Sequence, residues 1–152
     1  MKFSETTLKY WQEEDWKDLQ KAESVEDLYK IAKQVLERMP QPLGQVCSPV
    51  NSSGGLGSVE ANLEYFNNTI IGLQKRGLNI FDQMPFEEQM QNIKRKLSVD
   101  KIYGNIMNDF YSPIFKSGLV STFYFTPNWQ TSRGAKMEHE KIEELGIEIV
   151  YL

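Results

Sequence analysis

The sequence predicts an α/β fold: a doubly wound, flavodoxin- or Rossmann-like parallel sheet of four or five strands in the order 2-1-3-4, with an N-terminal helical extension. Three observations carry that expectation. From Leu43 onward, short apolar segments alternate with helical segments, the pattern of a parallel sheet with helices on both faces. The first strand runs into a glycine-rich loop, Asn51-Ser52-Ser53-Gly54-Gly55-Leu56-Gly57-Ser58, that leads into a helix. The stretch from Ser117 to Leu152 reads as a strand, a polar loop, a helix and a closing strand.

Taken in order, the chain opens with helices. Residues 6–20 are loosely amphipathic, with Leu8, Trp11 and Leu19 expected inside. Ser24 and Asp27 resemble a capping box ahead of Val25, Leu28, Ile31, Ala32, Val35, Leu36 and Met39, which recur at helical spacing until Pro40 and Pro42 end the run. Gln45 to Ser48 is a short first strand. Ser58 is a fitting N-cap for a helix presenting Leu63, Phe66, Ile70 and Leu73, with Gly77 at its C′ position. Leu78 to Phe81 is the second strand, and residues 86–97 and 103–115 read as helices. Leu119 to Phe125, the loop 126–131, a helix opening on Ser132-Arg133-Gly134, and Ile147 to Tyr151 complete the sheet. These boundaries make one domain of residues 1–152, with 1–42 as the helical extension and 43–152 as the α/β core.

Composition narrows the class. With 152 residues, 40% hydrophobic and 25% charged, the chain has the make-up of a globular protein with a real core. A formal net charge of −4 argues against a nucleic-acid polymer as partner, and Lys94-Arg95-Lys96 reads as a solvated helix end. No apolar run approaches the roughly 20 residues that span a bilayer, and the acidic start is unlike a signal peptide. A cytoplasmic protein with no membrane partner is expected. One cysteine and one histidine assemble neither a disulfide framework nor a Cys/His zinc site, so no metal site is expected.

Four constellations carry possible chemistry. Glycines in the loop 51–58 let backbone amides approach a phosphate at a helix N-terminus, or simply make a flexible turn. Neither a Walker A loop nor a full GxGxxG is present. Ser132-x-Gly134-x-x-x-Glu138 places a carboxylate about one turn inside a helix, as a reaction centre or as a helix-dipole partner. Asp109 lies on the helix before the third strand, as an acid/base or a surface carboxylate. Asp82-Gln83 follows the second strand, where the Gln83 amide reads a base edge or caps a turn. In a doubly wound sheet these places converge beyond the carboxyl ends of the strands, where ligands bind. His139 is expected at the surface, and Cys47 as a small apolar filler. Trp11, Trp16, Phe123 and Phe125 are assigned to the core. Trp129 is expected either to stack on a base or to seal a subunit contact.

The residues Trp129, Ser132, Gly134, Ala135 and Glu138 form a tail W-x-x-S-x-G-A-x-x-E, followed by Leu145-Gly146-Ile147. With this tail the chain resembles the nucleoside 2-deoxyribosyltransferase-like superfamily, in particular its nucleotide N-glycosidase-like branch, over about two thirds of its length from Val46 to Leu152. The N-terminal helices lie outside the resemblance. It implies that Glu138 attacks C1′ of the sugar, and that Asp109 assists as acid/base. Ser132, in place of an aspartate, goes with nucleoside 5′-monophosphates and contacts the phosphate, beside Arg133 and Gly134. Ser48, Gly54, Gly55 and Gly57 belong to the loop around sugar and phosphate, with Gln83 and Trp129 as further substrate contacts. The implied activity is cleavage or transfer of the N-glycosidic bond without metal or organic cofactor. The alternative is a non-catalytic nucleotide-sensing module in which Glu138 hydrogen-bonds a ribose hydroxyl. The small-molecule partner is a nucleotide or nucleoside. A homodimer is also expected, because superfamily sites are completed by a neighbouring subunit and the helix 103–115 carries Ile106, Met107, Phe110 and Tyr111.

Overall fold

The computed structural model describes residues 1–152. In chain order the elements are α1 (Glu5–Leu8), α2 (Glu13–Lys21), α3 (Val25–Arg38), β1 (Leu43–Cys47), α4 (Val59–Lys75), β2 (Ile80–Phe81) and α5 (Glu87–Lys94). They continue with α6 (Val99–Ile106), a π turn (Met107–Tyr111), α7 (Ser112–Lys116), β3 (Val120–Phe125), α8 (Arg133–Glu144) and β4 (Glu148–Tyr151). The chain forms two compact units, each built from two segments. The first comprises Met1–Met39 with Gln83–Leu119, and the second Pro40–Asp82 with Val120–Leu152. No helix is long and apolar enough to cross a membrane.

The second unit holds the whole sheet. Its four strands are all parallel, in the order β2-β1-β3-β4, as the sequence predicts. Every residue of β1 is buried, which is what a central parallel strand covered on both faces requires. The connection β1–α4–β2 steps one way along the sheet and β3–α8–β4 the other. Right-handed crossovers therefore put α4 and α8 on opposite faces. Ser58 caps α4 by accepting from the Ala61 amide, as expected. At its other end Gly77 donates to the Gln74 carbonyl and Leu78 to that of Leu73, the two bonds of a Schellman closure. Gly146 and Ile147 end α8 in the same way, on Glu143 and Ile142. All four strands differ from their expected bounds, β3 and β4 only by beginning one residue later. β1 begins two residues earlier, and β2 keeps only Ile80 and Phe81.

The first unit is helical. The expected helix over 6–20 is broken, because the backbone turns at Gln12, whose amide donates to the Asp15 carboxylate in a capping box for α2. The break leaves Leu8 at the surface, 43% exposed, whereas Trp11 and Leu19 are buried as expected. Asp15, 1% exposed, is also paired with Arg38 of α3 at 2.5 and 3.1 Å, and Arg38 donates to the Tyr10 carbonyl. Ser24 and Asp27 make both halves of the expected capping box. Trp11 stacks on Trp16 and meets Phe86, which meets Phe110.

The helix expected over 103–115 starts earlier, at Val99, and widens into the π turn before continuing as α7. Pro113 explains the widening: it has no amide to donate to the carbonyl of Asp109, and its ring would collide with that carbonyl in an ordinary α turn. Ile106 and Phe110 are buried in this segment, and α3 packs against it. The apolar face that suggested a second copy is thus covered within the unit, and the dimer expectation loses that argument.

Candidate active site

The switch point of the sheet lies between β1 and β3, where successive connections leave in opposite directions and the loops part. Just past these strands, the Thr126 amide donates to the Cys47 carbonyl at 3.2 Å and carries the ladder one step further. The hydroxyls of Ser48 and Thr126 are hydrogen-bonded at 3.1 Å, and both residues are buried. Thr126 Oγ1 also donates to Asn128 Oδ1 at 2.8 Å. A hydroxyl has one hydrogen, and Asn128 Oδ1 only accepts, so Ser48 supplies the hydrogen between the two hydroxyls. Ser48 therefore faces any ligand as an acceptor.

Glu138 comes to this edge from α8. Ser132 is the N-cap, its Oγ accepting from the Ala135 amide at 3.1 Å. Ala135, Glu138 and Ile142 then fall on one buried face at helical spacing. Glu138 is in the second turn, beyond the reach of the helix-dipole role that a first-turn carboxylate fills. It is 7% exposed, and a carboxylate in such surroundings costs free energy unless it is held by donors. Cys47, the last residue of β1, donates its thiol hydrogen to Glu138 Oε2 at 3.4 Å. Cys47 is fully buried and is more than a filler. Burial, then the neighbouring Glu138 charge and its hydrogen bond, push the thiol well above its ordinary pKa. It stays a neutral S–H donor at neutral pH.

The glycine-rich loop is shaped differently from the expected phosphate cradle. The amides of residues 54–57 already have acceptors within the protein. Gly54 donates to the Asn51 carbonyl and Gly57 to that of Gly54, both at 3.1 Å. Gly55 donates to Thr131 Oγ1 at 2.7 Å, and Leu56 to Asn62 Oδ1 at 2.8 Å. Asn62, 1% exposed on the packed face of α4, in turn donates to the carbonyls of Val50, Asn51 and Gly54. The glycines are required by the protein itself. A Cβ on Gly54 would lie 2.5 Å from the Thr131 carbonyl oxygen, and Gly55 has φ 57° with Asn62 Oδ1 in the place of a side chain. The loop after β1 is therefore pinned to the loop after β3. The first turn of α8 also brings amides without intrahelical acceptors to this edge, a place of the kind that suits a ligand anion.

Of the expected site residues, Ser48, Gly54, Ser132, Gly134 and Glu138 gather along this edge. Gly55 and Gly57 shape the loop, and Arg133 is exposed at the start of α8. Trp129 turns one face onto His139, with ring centroids 4.2 Å apart and planes 12° from parallel. His139 is accordingly not a free surface residue. Its ring bonds the Tyr151 hydroxyl at 2.6 Å on Nε2 and meets Glu143 at 3.2 Å on Nδ1. Asp109 and Gln83 belong to the first unit. Asp109 sits inside the π turn, and Gln83, 2% exposed, donates to the Tyr111 hydroxyl at 3.3 Å. Sequence reasoning missed Asn62, Thr126, Thr131 and the thiol of Cys47. Asn62 carries a readable sign, an amide in line with the apolar Phe66, Ile70 and Leu73.

No group of His, Cys, Asp or Glu is arranged to hold a metal ion. Compared with protein-family models, curated proteins and solved structures, the chain matches none.

Proposed function

We propose that the protein cleaves or transfers the N-glycosidic bond of a nucleoside 5′-monophosphate, with Glu138 as nucleophile, in the manner of the nucleoside 2-deoxyribosyltransferase-like proteins it resembles. The observation that supports this reading most is the buried Glu138 carboxylate at the switch point of the sheet, outside the helix-dipole position and held by a thiol. In this mechanism a Glu138 oxygen attacks C1′ as the C1′–N bond breaks, and the base leaves with the bonding electron pair and is protonated. The resulting glycosyl ester is opened at C1′ by water or by a second base, which releases the carboxylate and passes a proton to a base or to solvent. The resemblance gives Asp109 the acid/base role.

The phosphate is proposed to bind at the start of α8. Ser132 Oγ already accepts from Ala135, so its own hydrogen remains for an anionic oxygen. The Gly134 amide and the Arg133 guanidinium add donors of the kind that suit a phosphate. Purified protein incubated with ribo- and deoxyribonucleoside monophosphates should release free base, followed by chromatography. Glu138→Ala should abolish the release while melting like the wild type. Turnover unchanged in that variant would falsify the nucleophile assignment. Tight nucleotide binding without base release would instead favour the sensing module.

A further inference from the structure

We propose that Cys47 is a positioning residue for Glu138, its thiol holding one carboxylate oxygen at the carboxyl end of β1. The role in catalysis rests on the function proposed above, whereas the hydrogen bond itself can be tested without turnover. A glutamate side chain has three rotatable bonds, and burial alone does not choose among the carboxylate orientations that fit the space. A directional donor fixed to the central strand does. Cys47 is such a donor: it is 0% exposed, its backbone is paired with Phe125 of β3 and its carbonyl accepts from the Thr126 amide, and its Sγ is 3.4 Å from Oε2.

The chemistry of the thiol matches the task. A guanidinium or ammonium would hold the carboxylate more firmly, but would also neutralise the charge that makes it a nucleophile. A neutral S–H is a weak donor, so it orients the group and leaves its electron density available. The buried Cys47 stays protonated, and it does not compete as a nucleophile for C1′. Sulfur also reaches further from the backbone than a hydroxyl would. Serine at this position keeps a donor but draws it back, and valine fills the space with no donor at all.

The chain contains one cysteine, so the S–H stretch in its infrared spectrum belongs to Cys47 alone. In the wild type that band should be displaced to lower frequency, and in Glu138→Ala it should return to the position of a free buried thiol. A band at the free-thiol position in the wild type overturns the proposal, whatever the enzyme does. A failed base-release assay and a failed positioning role are in this way told apart. Where base is released, Cys47→Val should lower kcat about tenfold with KM within about twofold, and Cys47→Ser should recover most of the loss. Equal kcat in the wild type and a folded Cys47→Val overturns the positioning role. If Cys47→Val does not fold, the comparison of wild type with Cys47→Ser and the infrared band decide the matter.

Discussion

Replacing Asn62 by alanine should loosen the loop that follows β1 more than any other single change outside the sheet. The side chain is 1% exposed and is shared by three carbonyls, those of Val50, Asn51 and Gly54, at 3.0 to 3.3 Å, and by the Leu56 amide at 2.8 Å. Its amide has only two hydrogens, so the three acceptor contacts amount to two donated bonds, and the Leu56 bond makes three in all. At about 1 kcal/mol net for each, truncation should cost about 3 kcal/mol. Urea denaturation should show a lower midpoint at an unchanged slope, and hydrogen exchange at the Leu56 amide should accelerate. Asn62→Asp, nearly the same shape, should be worse, because it sets an oxygen against three carbonyl oxygens. A loss below about 0.5 kcal/mol with Leu56 exchange unaltered would refute the reasoning, since surface substitutions have effects of that size.

Arg38→Met should destabilise the first unit by about 2 to 3 kcal/mol by leaving the buried Asp15 carboxylate without its guanidinium, while Arg38→Met combined with Asp15→Asn should recover part of it in urea melts. Burial raises the Glu87 carboxyl above its ordinary value, so the folded state holds this proton more tightly than the unfolded one. Its contribution to stability is therefore greatest below that value and is lost as pH rises through the folded pKa. Glu87→Gln should accordingly raise the urea midpoint at neutral pH, and the gain should vanish in acid. Asp109→Asn should slow base release about a hundredfold with melting unchanged, and an unaltered rate would remove its acid/base role.

The parts of the fold that the sequence made legible are those settled by neighbours along the chain. Ser24 and Ser58 cap helices because the amides they accept from lie three residues on, and the apolar spacing of α3 needs no distant partner to be read. The parallel sheet follows from the alternation of strands with helices. The break at Gln12 was hidden because glutamine is a poor N-cap by preference, and the π turn because Pro113 looks like a helix stop and not like a widened turn. In the candidate site, Glu138 and Ser132 were visible from their spacing. The Cys47 thiol was not, since its acceptor lies 91 residues away. The glycine-rich loop misled for the same reason: composition reports freedom of the isolated chain, whereas Asn62 and Thr131 take that freedom away.

The division of the chain has a kinetic consequence. β1 and β3 are the central pair of the sheet, yet all of residues 48–119 separate them, and the helices of the first unit occupy much of that interval. On a growing chain, β1 emerges with no neighbour but the two residues of β2, too little ladder to hold a strand. The nucleus of the sheet must await β3, and closing so long a connection pays its entropy before the pairing returns any. Until then β1, every residue of which is buried in the finished sheet, is an unpartnered edge, the kind of surface that aggregates. Refolding should be slowed, and yield lost, by crowding at that stage, well before the edge that carries Glu138 exists.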